Sequence, residues 1–415
     1  MRDQIVRDVR AAKEASRELA TLSTETKNAV LRAIADQIEA SRDEILEANA
    51  RDMRTAEADG LASAKLQRLE LTDASIAQLG AGVRQIADLP DPIGTTTLDR
   101  IVPSGLHVKK VRCPIGVIAM IYEARPGVTV DAFALCFKGG NACVLKGGKE
   151  ANESNTALAD LVRAVLETHG VPGGALGLVV SSDRGDLKRL LELDDCIDLV
   201  IPRGGEQLIR FVHEHSRIPT IQHFKGVCHI YVDASADVDQ AIEICATAKT
   251  SAPATCNSAE CLLVHESIAP LFLPKLAERL DADGVCAFAD GAARPHMPGA
   301  EVANQDSWGR EFLDLVYAVR VIDSMDDALA HIDRYGSNHT EAILTRDDAN
   351  AKLFCERVQS SCVVVNASTR FNDGFQLGLG AEIGISTSKI HAYGPMGLEE
   401  LTTQRWIVEG DGQTR

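Results

Sequence analysis

Hydrophobic positions in the first ninety residues recur with a helical period. Ala29, Val30, Ile34 and Ile38 share one face, and Ser41 with Glu44 reads as a capping box ahead of Ile45 and Leu46. The pattern predicts helices to about residue 90, where Pro90, Pro92 and Gly94 close the block. Leu106-His-Val108-Lys-Lys-Val111 then alternates with period two, as a strand with one exposed face does, and fits one arm of a hairpin. From Ile115 short apolar runs at 115–122, 142–146, 175–180 and 197–201 are each followed by ten or more helix-compatible residues. Such βα alternation predicts a parallel sheet covered on both faces, whose ligands bind beyond the carboxyl ends of the strands. A second αβ series begins near Val227, with a strand at 228–232, a helix at 238–249, a polar turn, a strand at 261–264 and a helix at 268–280. Residues 401–408 end the pattern as a further strand.

Composition narrows the class. The chain has 415 residues, of which 45% are hydrophobic, enough to bury large cores in two or three domains. A net charge of -17 opposes binding to nucleic acid or to anionic membranes, so an anionic small molecule would need a local basic pocket. The first ten residues mix acids and bases without an apolar stretch, which predicts neither a secretory signal nor a membrane span. Eleven cysteines without paired or metal-ligand spacing point to a reducing compartment, the cytoplasm by default, with no zinc site and no disulfide framework.

One of those cysteines sits where a nucleophile would. In Ser251-Ala-Pro-Ala-Thr-Cys256-Asn-Ser-Ala-Glu260, Pro253 stops a preceding helix, and Thr255, Asn257 and Ser258 supply short polar groups and backbone amides. A thiolate attacking a carbonyl builds an alkoxide, and amides aimed at it are worth about 3 to 4 kcal/mol. Cysteine is also among the most buried residue types, so a packing role is the alternative.

Two strand ends carry a cation beside glycines: Lys146-Gly147-Gly148-Lys149 and Pro202-Arg203-Gly204-Gly205. Each can approach a phosphate through its backbone, and each can equally be a plain turn with a solvated cation. Neither GxGxxG nor a Walker loop occurs, so a nucleotide would bind in some other way.

These features together resemble the aldehyde dehydrogenase superfamily. More closely, Tyr122-Glu-Ala-Arg-Pro126, Leu145-Lys-Gly-Gly-Lys-Glu150, Ile201-Pro-Arg-Gly-Gly205, Thr255-Cys-Asn257, Arg334-Tyr-Gly-Ser-Asn-His-Thr-Glu-Ala342, Val365-Asn-Ala-Ser-Thr-Arg-Phe371, Gly378-Leu-Gly-Ala-Glu-Ile-Gly-Ile-Ser386 and Gly394-Pro-Met-Gly-Leu-Glu-Glu-Leu401 resemble the gamma-glutamyl phosphate reductase family, in consistent order along the chain.

The resemblance implies an α/β fold with a parallel-sheet NADP-binding domain at 1–226, a catalytic domain at 227–365, and a return segment at 366–415 that joins the hairpin at 101–112 in an oligomerisation flap. A cleft between the first two domains would hold the active site. It implies NADPH-dependent reduction of L-glutamyl 5-phosphate to L-glutamate 5-semialdehyde, the second step of proline biosynthesis. Cys256 would be the nucleophile and Asn257 a catalytic neighbour. NADPH/NADP would be held by Lys146, Gly147, Gly148, Lys149, Arg203, Gly204, Gly205 and, through the nicotinamide ribose, Glu311. Arg125, Asn366, Ser368, Thr369 and Arg370 would take the substrate. Hydrolytic aldehyde dehydrogenases carry a general-base glutamate in a Glu-Leu-Gly-Gly block. The corresponding region here, His223-Phe-Lys-Gly226, has no carboxylate, so a thioester would survive to meet hydride or phosphate. Taken alone, His223 reads as a surface histidine. A homodimer or homotetramer is expected, with transient contact with glutamate 5-kinase as a further partner.

Overall fold

The computed structural model describes residues 2–415, which divide into two compact units. The first comprises 2–222, 379–384 and 396–415; the second comprises 223–378 and 385–395.

The first unit opens with five helices: α1 (Arg2–Leu19), α2 (Thr24–Ala40), α3 (Arg42–Ala58), α4 (Ser63–Leu69) and α5 (Asp73–Asp88). Val30, Ile34 and Ile38 are buried on one face of α2, as their spacing predicts. The capping box expected at Ser41 does not form. Ser41 is a single-residue joint that ends α2 and starts α3 at φ -94 and ψ 19, and its hydroxyl accepts a bond from Gln37 Nε2 instead.

β1 (Thr96–Ile101) and β2 (His107–Pro114) follow as an antiparallel hairpin, and β2 pairs on its other edge with the last strand of the chain. Then come β3 (Val117–Tyr122), α6 (Val128–Lys138), β4 (Ala142–Lys146), α7 (Asn152–Thr168), β5 (Leu176–Leu178), α8 (Arg184–Leu191), β6 (Leu199–Arg203) and α9 (Glu206–His215). The four strands form a parallel sheet in the order β5-β4-β3-β6. Every residue of β3 is buried, which is why its sequence is a continuous apolar run and not an alternating one.

The second unit holds β7 (Cys228–Val232), α10 (Val238–Thr250), β8 (Ala259–His265), α11 (Ala269–Ala282), β9 (Cys286–Ala289), β10 (Glu301–Val302), α12 (Gln305–Trp308), β11 (Val316–Ile322), α13 (Met325–Tyr335), β12 (Thr340–Leu344), α14 (Asp348–Arg357) and β13 (Cys362–Val365). Its strands form a seven-stranded parallel sheet in the order β10-β9-β11-β8-β7-β12-β13. Successive side chains of β7 and β8 enter opposite cores. Ile230, Val232, Leu262 and Val264 pack with Phe272 and Leu276 of α11, whereas Tyr231, Cys261 and Leu263 pack with Ile332 and Phe354 of α13 and α14. β14 (Gly384–Ser386), β15 (Gly394–Met396) and β16 (Thr402–Glu409) complete the chain, and β16 closes the three-stranded sheet β1-β2-β16.

Candidate active site

Cys256 occupies the turn between α10 and β8, near the middle of the second unit's sheet, and its side chain is half-buried. The turn is clamped at its base. Lys249, in the last turn of α10, and Glu260, at the start of β8, form an ion pair of 2.7 Å in which both side chains are wholly buried. Glu260 also accepts a bond from Leu313 N, and the Lys249 ammonium lies 5.3 Å from the centre of the Tyr317 ring. Burial pushes the Glu260 carboxyl up to about 7 and draws Lys249 down, while their mutual attraction opposes both shifts.

Further contacts fix the top of the turn. A Cβ on Gly226 would lie 2.0 Å from the Cys256 carbonyl oxygen, so only glycine lets these two backbone segments touch. Gly226 N donates to Glu311 Oε1 at 2.8 Å, and Lys225 Nζ donates to the Gly309 carbonyl at 2.8 Å. Cys228 Sγ donates to the Cys256 carbonyl. Glu311 therefore reaches the segment that packs on the candidate nucleophile, although 85 residues separate it from Gly226.

On another side lies the short helix Thr369–Phe371. Arg370 Nη1 donates to Thr255 Oγ1 at 2.9 Å and to Asn257 Oδ1, so the guanidinium touches both neighbours of Cys256. Asn257 is almost fully buried, and its amide donates to the carbonyls of Asn372 and Arg370. Both amide hydrogens are thus committed within the fold, and the side chain holds this segment instead of facing an oxyanion. Thr369 is fully buried with its hydroxyl on the Asn257 carbonyl, and Ser368 Oγ accepts from Arg370 N as the cap of the short helix. Asn366, at φ 53, exchanges two hydrogen bonds with the backbone of Thr345. Of the four residues from 366 to 370 expected to take substrate, the geometry leaves Arg370 at the Cys256 turn and gives Asn366, Ser368 and Thr369 work in holding the loop.

Two histidines complete the surroundings of the thiol. One ring nitrogen each of His223 and His339 and the Cys256 sulfur all lie within 4.8 Å of one another. The two rings meet edge to face at 5.3 Å between centres. His223 is not the surface histidine its bare sequence suggests, because the strand at Ile385 folds over it and the Ile385 carbonyl accepts a bond from Nδ1 at 2.7 Å. His339 is fully buried beside Thr340, whose hydroxyl lies 2.8 Å from its Nδ1. Sequence reasoning passed over His339, Lys249 and Glu260. The one local signal was Asn338, in the left-handed region at φ 57, which turns the chain sharply just before the histidine.

The first unit carries the two glycine-bearing strand ends. Lys146 ends β4 and Arg203 ends β6, on either side of β3, opposite Ile121 and Tyr122. Both loops therefore open at the same end of the sheet, beyond the carboxyl ends of its strands. Lys146 Nζ donates to the carbonyls of Gly147 and Ser181, and burial holds its proton affinity below that of an ordinary lysine. A Cβ on Gly147 would come within 2.2 Å of Asn155 Nδ2, and one on Gly204 within 2.8 Å of Leu208. Gly205 N donates to Glu123, and Gly148 packs on the Glu150 carboxylate. Lys149 and Arg125 are exposed, and Arg203 is half-buried against Gly384.

The aldehyde dehydrogenase family model matches residues 1–285. A gamma-glutamyl phosphate reductase from Xanthomonas campestris pv. campestris (strain 8004) is 52% identical over 403 residues, 97% of each chain, and one from Xanthomonas oryzae pv. oryzae (strain KACC10331 / KXO85) is 51% identical over the same length. The crystal structure of gamma-glutamyl phosphate reductase from Thermotoga maritima superposes with a TM-score of 0.97 at 40% identity, covering 99% of both chains. An acetylating aldehyde dehydrogenase from Geobacillus thermoglucosidasius shares the fold, with a TM-score of 0.70 at 15% identity over 100% of this chain and 98% of its own. The α/β architecture, the cysteine turn and these likenesses together place the chain in the gamma-glutamyl phosphate reductase family of the aldehyde dehydrogenases.

Proposed function

We propose that this protein reduces L-glutamyl 5-phosphate to L-glutamate 5-semialdehyde and phosphate with NADPH, through a thioester on Cys256. The observation that carries the reading is the Cys256 turn, a half-buried thiol held by an ion pair, a glycine contact and an arginine, with two imidazoles within 4.8 Å. Imidazoles at that range can take the thiol proton, and a thiolate is the attacking species. Attack on the acyl phosphate forms the S–C bond and expels phosphate. NADPH, when bound, supplies the hydride that reduces the thioester carbonyl. The thiohemiacetal then collapses to aldehyde and returns the thiol. At the position of the hydrolytic general base, His223-Phe-Lys-Gly226 has no carboxylate, and Glu260 beneath the turn is engaged with Lys249 and Leu313 N. The thioester is therefore spared from water.

Arg370 binds an anionic end of the substrate in this reading, and Arg125 is the second candidate cation. Backbone amides of the turn hold the oxyanion, since the Asn257 amide is spent on Asn372 and Arg370. The cofactor fits the first unit's strand ends, where Gly147 and Gly204 bring bare backbone close to their neighbours and Lys146, Lys149 and Arg203 supply positive charge for phosphates. Glu311 serves the nicotinamide ribose.

The three-stranded sheet exposes Trp406 and Val408 on one face, where Val108 and Lys110 stand opposite them, a surface suited to self-association as a homodimer or homotetramer. No helix among the described residues is long and apolar enough to cross a membrane.

The test follows NADPH formation from NADP and glutamate semialdehyde, with and without phosphate, beside Cys256→Ala. Phosphate-dependent turnover that the variant loses is the expected result. Turnover independent of phosphate would reassign the chain to hydrolytic chemistry.

A further inference from the structure

We propose that His223, Cys256 and His339 form a binding site for a soft divalent cation, with zinc as the best fit, and that occupancy of this site blocks the thiol. Two imidazoles and a thiolate are a common donor set for zinc, which takes three protein ligands and leaves a fourth position open to water. The donor atoms lie within 4.8 Å of one another. Donors around a tetrahedral zinc with bonds of about 2.0 to 2.3 Å stand about 3.5 Å apart. Closure thus asks for side-chain shifts of about 1 Å, within the reach of rotamer adjustments at two half-buried residues.

The surroundings support the assignment. His223 Nδ1 donates to the Ile385 carbonyl, which leaves Nε2 as the nitrogen with a lone pair and fixes the ring, the outer arrangement that ligating histidines use. Cys256 and His223 are half-buried, so the cation has a route from solvent, while His339 forms the buried floor. A second His, Cys, His cluster, formed by His229, Cys261 and His331, makes the contrast. All three of its members are fully buried, and the Arg320 guanidinium bonds His331 Nδ1. A fixed positive charge and a closed core both oppose a cation there. No spacing in the sequence announces the first cluster because its ligands come from three separate segments around residues 223, 256 and 339.

Binding forms a metal–sulfur bond and releases the thiol proton, so it strengthens as pH rises. The sulfur lone pair then belongs to the metal, and attack on an acyl group stops. The site would register a rise in available zinc as loss of reductive capacity, reversed by a chelator.

Titration of the purified full chain with Co²⁺ tests this. The expected result is a thiolate-to-cobalt absorption band that saturates at one equivalent, disappears when Zn²⁺ is added, and is missing in Cys256→Ala. His223→Gln and His339→Gln should each weaken Co²⁺ binding by about tenfold or more. Zn²⁺ should also slow alkylation of Cys256 by iodoacetamide, read by peptide mass. A band that survives in Cys256→Ala, or equal affinity in wild type and the His223→Gln variant, overturns the proposal. His223 is half-buried and tolerates substitution better than His339, so a folding defect in the latter leaves the test intact. The band is read without substrate or NADPH, so its presence or absence is independent of whether the proposed reaction occurs.

Discussion

Removing Lys249 isolates a buried carboxylate beneath the candidate nucleophile, and its cost can be worked from the structure. Lys249 and Glu260 are both fully buried, 2.7 Å apart, and without the ammonium no cation remains to hold Glu260 ionised. In Lys249→Met the carboxyl stays protonated when folded and ionises on unfolding near its ordinary 4.5. A group whose folded value is raised stabilises fully below the unfolded value and loses that contribution as pH rises. Taking up one proton above 4.5 costs about 1.4 kcal/mol per pH unit; the wild-type carboxyl, itself raised to about 7, bears the same cost up to that pH, so the variant should lose about 2 kcal/mol more than wild type between pH 7 and pH 8.5. Wild type should change little over that window, because its pair carries one proton above pH 7 and the unfolded chain carries the same one on lysine. Urea unfolding followed by far-ultraviolet circular dichroism at the two pH values reads the difference, and adding Glu260→Leu should restore most of the loss. The same variant should lose activity, since the clamp sits at both ends of the Cys256 turn. A Lys249→Met protein whose midpoint does not fall between pH 7 and 8.5, or one that Glu260→Leu does not rescue, would refute the account of the pair.

Gly226→Ala should cut kcat by tenfold or more while Gly309→Ala is tolerated, because the added Cβ meets the Cys256 carbonyl oxygen at 2.0 Å in one case and its nearest neighbour at 3.6 Å in the other; steady-state kinetics on semialdehyde decides it. Arg370→Lys keeps the charge but cannot reproduce the guanidinium contacts with Thr255 and Asn257, so the KM for semialdehyde should rise about tenfold. An unchanged KM removes Arg370 from the substrate site. Trp406→Asp places a charge on the exposed face of the three-stranded sheet, and light scattering coupled to size exclusion should show a smaller species than wild type.

Elements that are buried on both faces were legible. The apolar run at 228–232 coincides with β7 and that at 142–146 with β4, because a continuous hydrophobic stretch bounded by polar turns has one stable use in a covered parallel sheet. The joint at Ser41 was not. A capping box is a local pattern, but the side chain reaches the N3 amide only from extended backbone, and a one-residue joint between two helices does not supply it. The Cys256 turn was legible as a turn, since Pro253 and the polar residues around it bar regular structure. Its neighbours were not, because they are set by which loops the sheet order brings together. Glu311 meets Gly226, Arg370 meets Thr255 and His339 approaches Cys256 across separations of 85, 115 and 83 residues, and no periodicity records that.

The same limit applies to the polar residues of the 366–370 loop. A short polar side chain beside a specific arginine can face a substrate or satisfy its own backbone, and the sequence is the same in both cases. Here Thr369, Asn372 and Asn257 bond one another's backbones in a buried strip, with Arg370 across its end. Arg370 Nε and Asn372 Oδ1 are buried there without a hydrogen-bond partner, so the strip is only partly satisfied, and the bonds it does make hold its members in place. The rigidity has a use. An acyl phosphate must meet the thiol at one angle and the hydride at another, and a turn free to drift by an ångström would lose the first contact before the second was made. Cys256 is held from below by Lys249 and Glu260, from one side by Gly226 and Glu311, and from another by Asn257 and Arg370. The backbone of the turn is thereby fixed, and the sulfur is the part of it left to meet the acyl group.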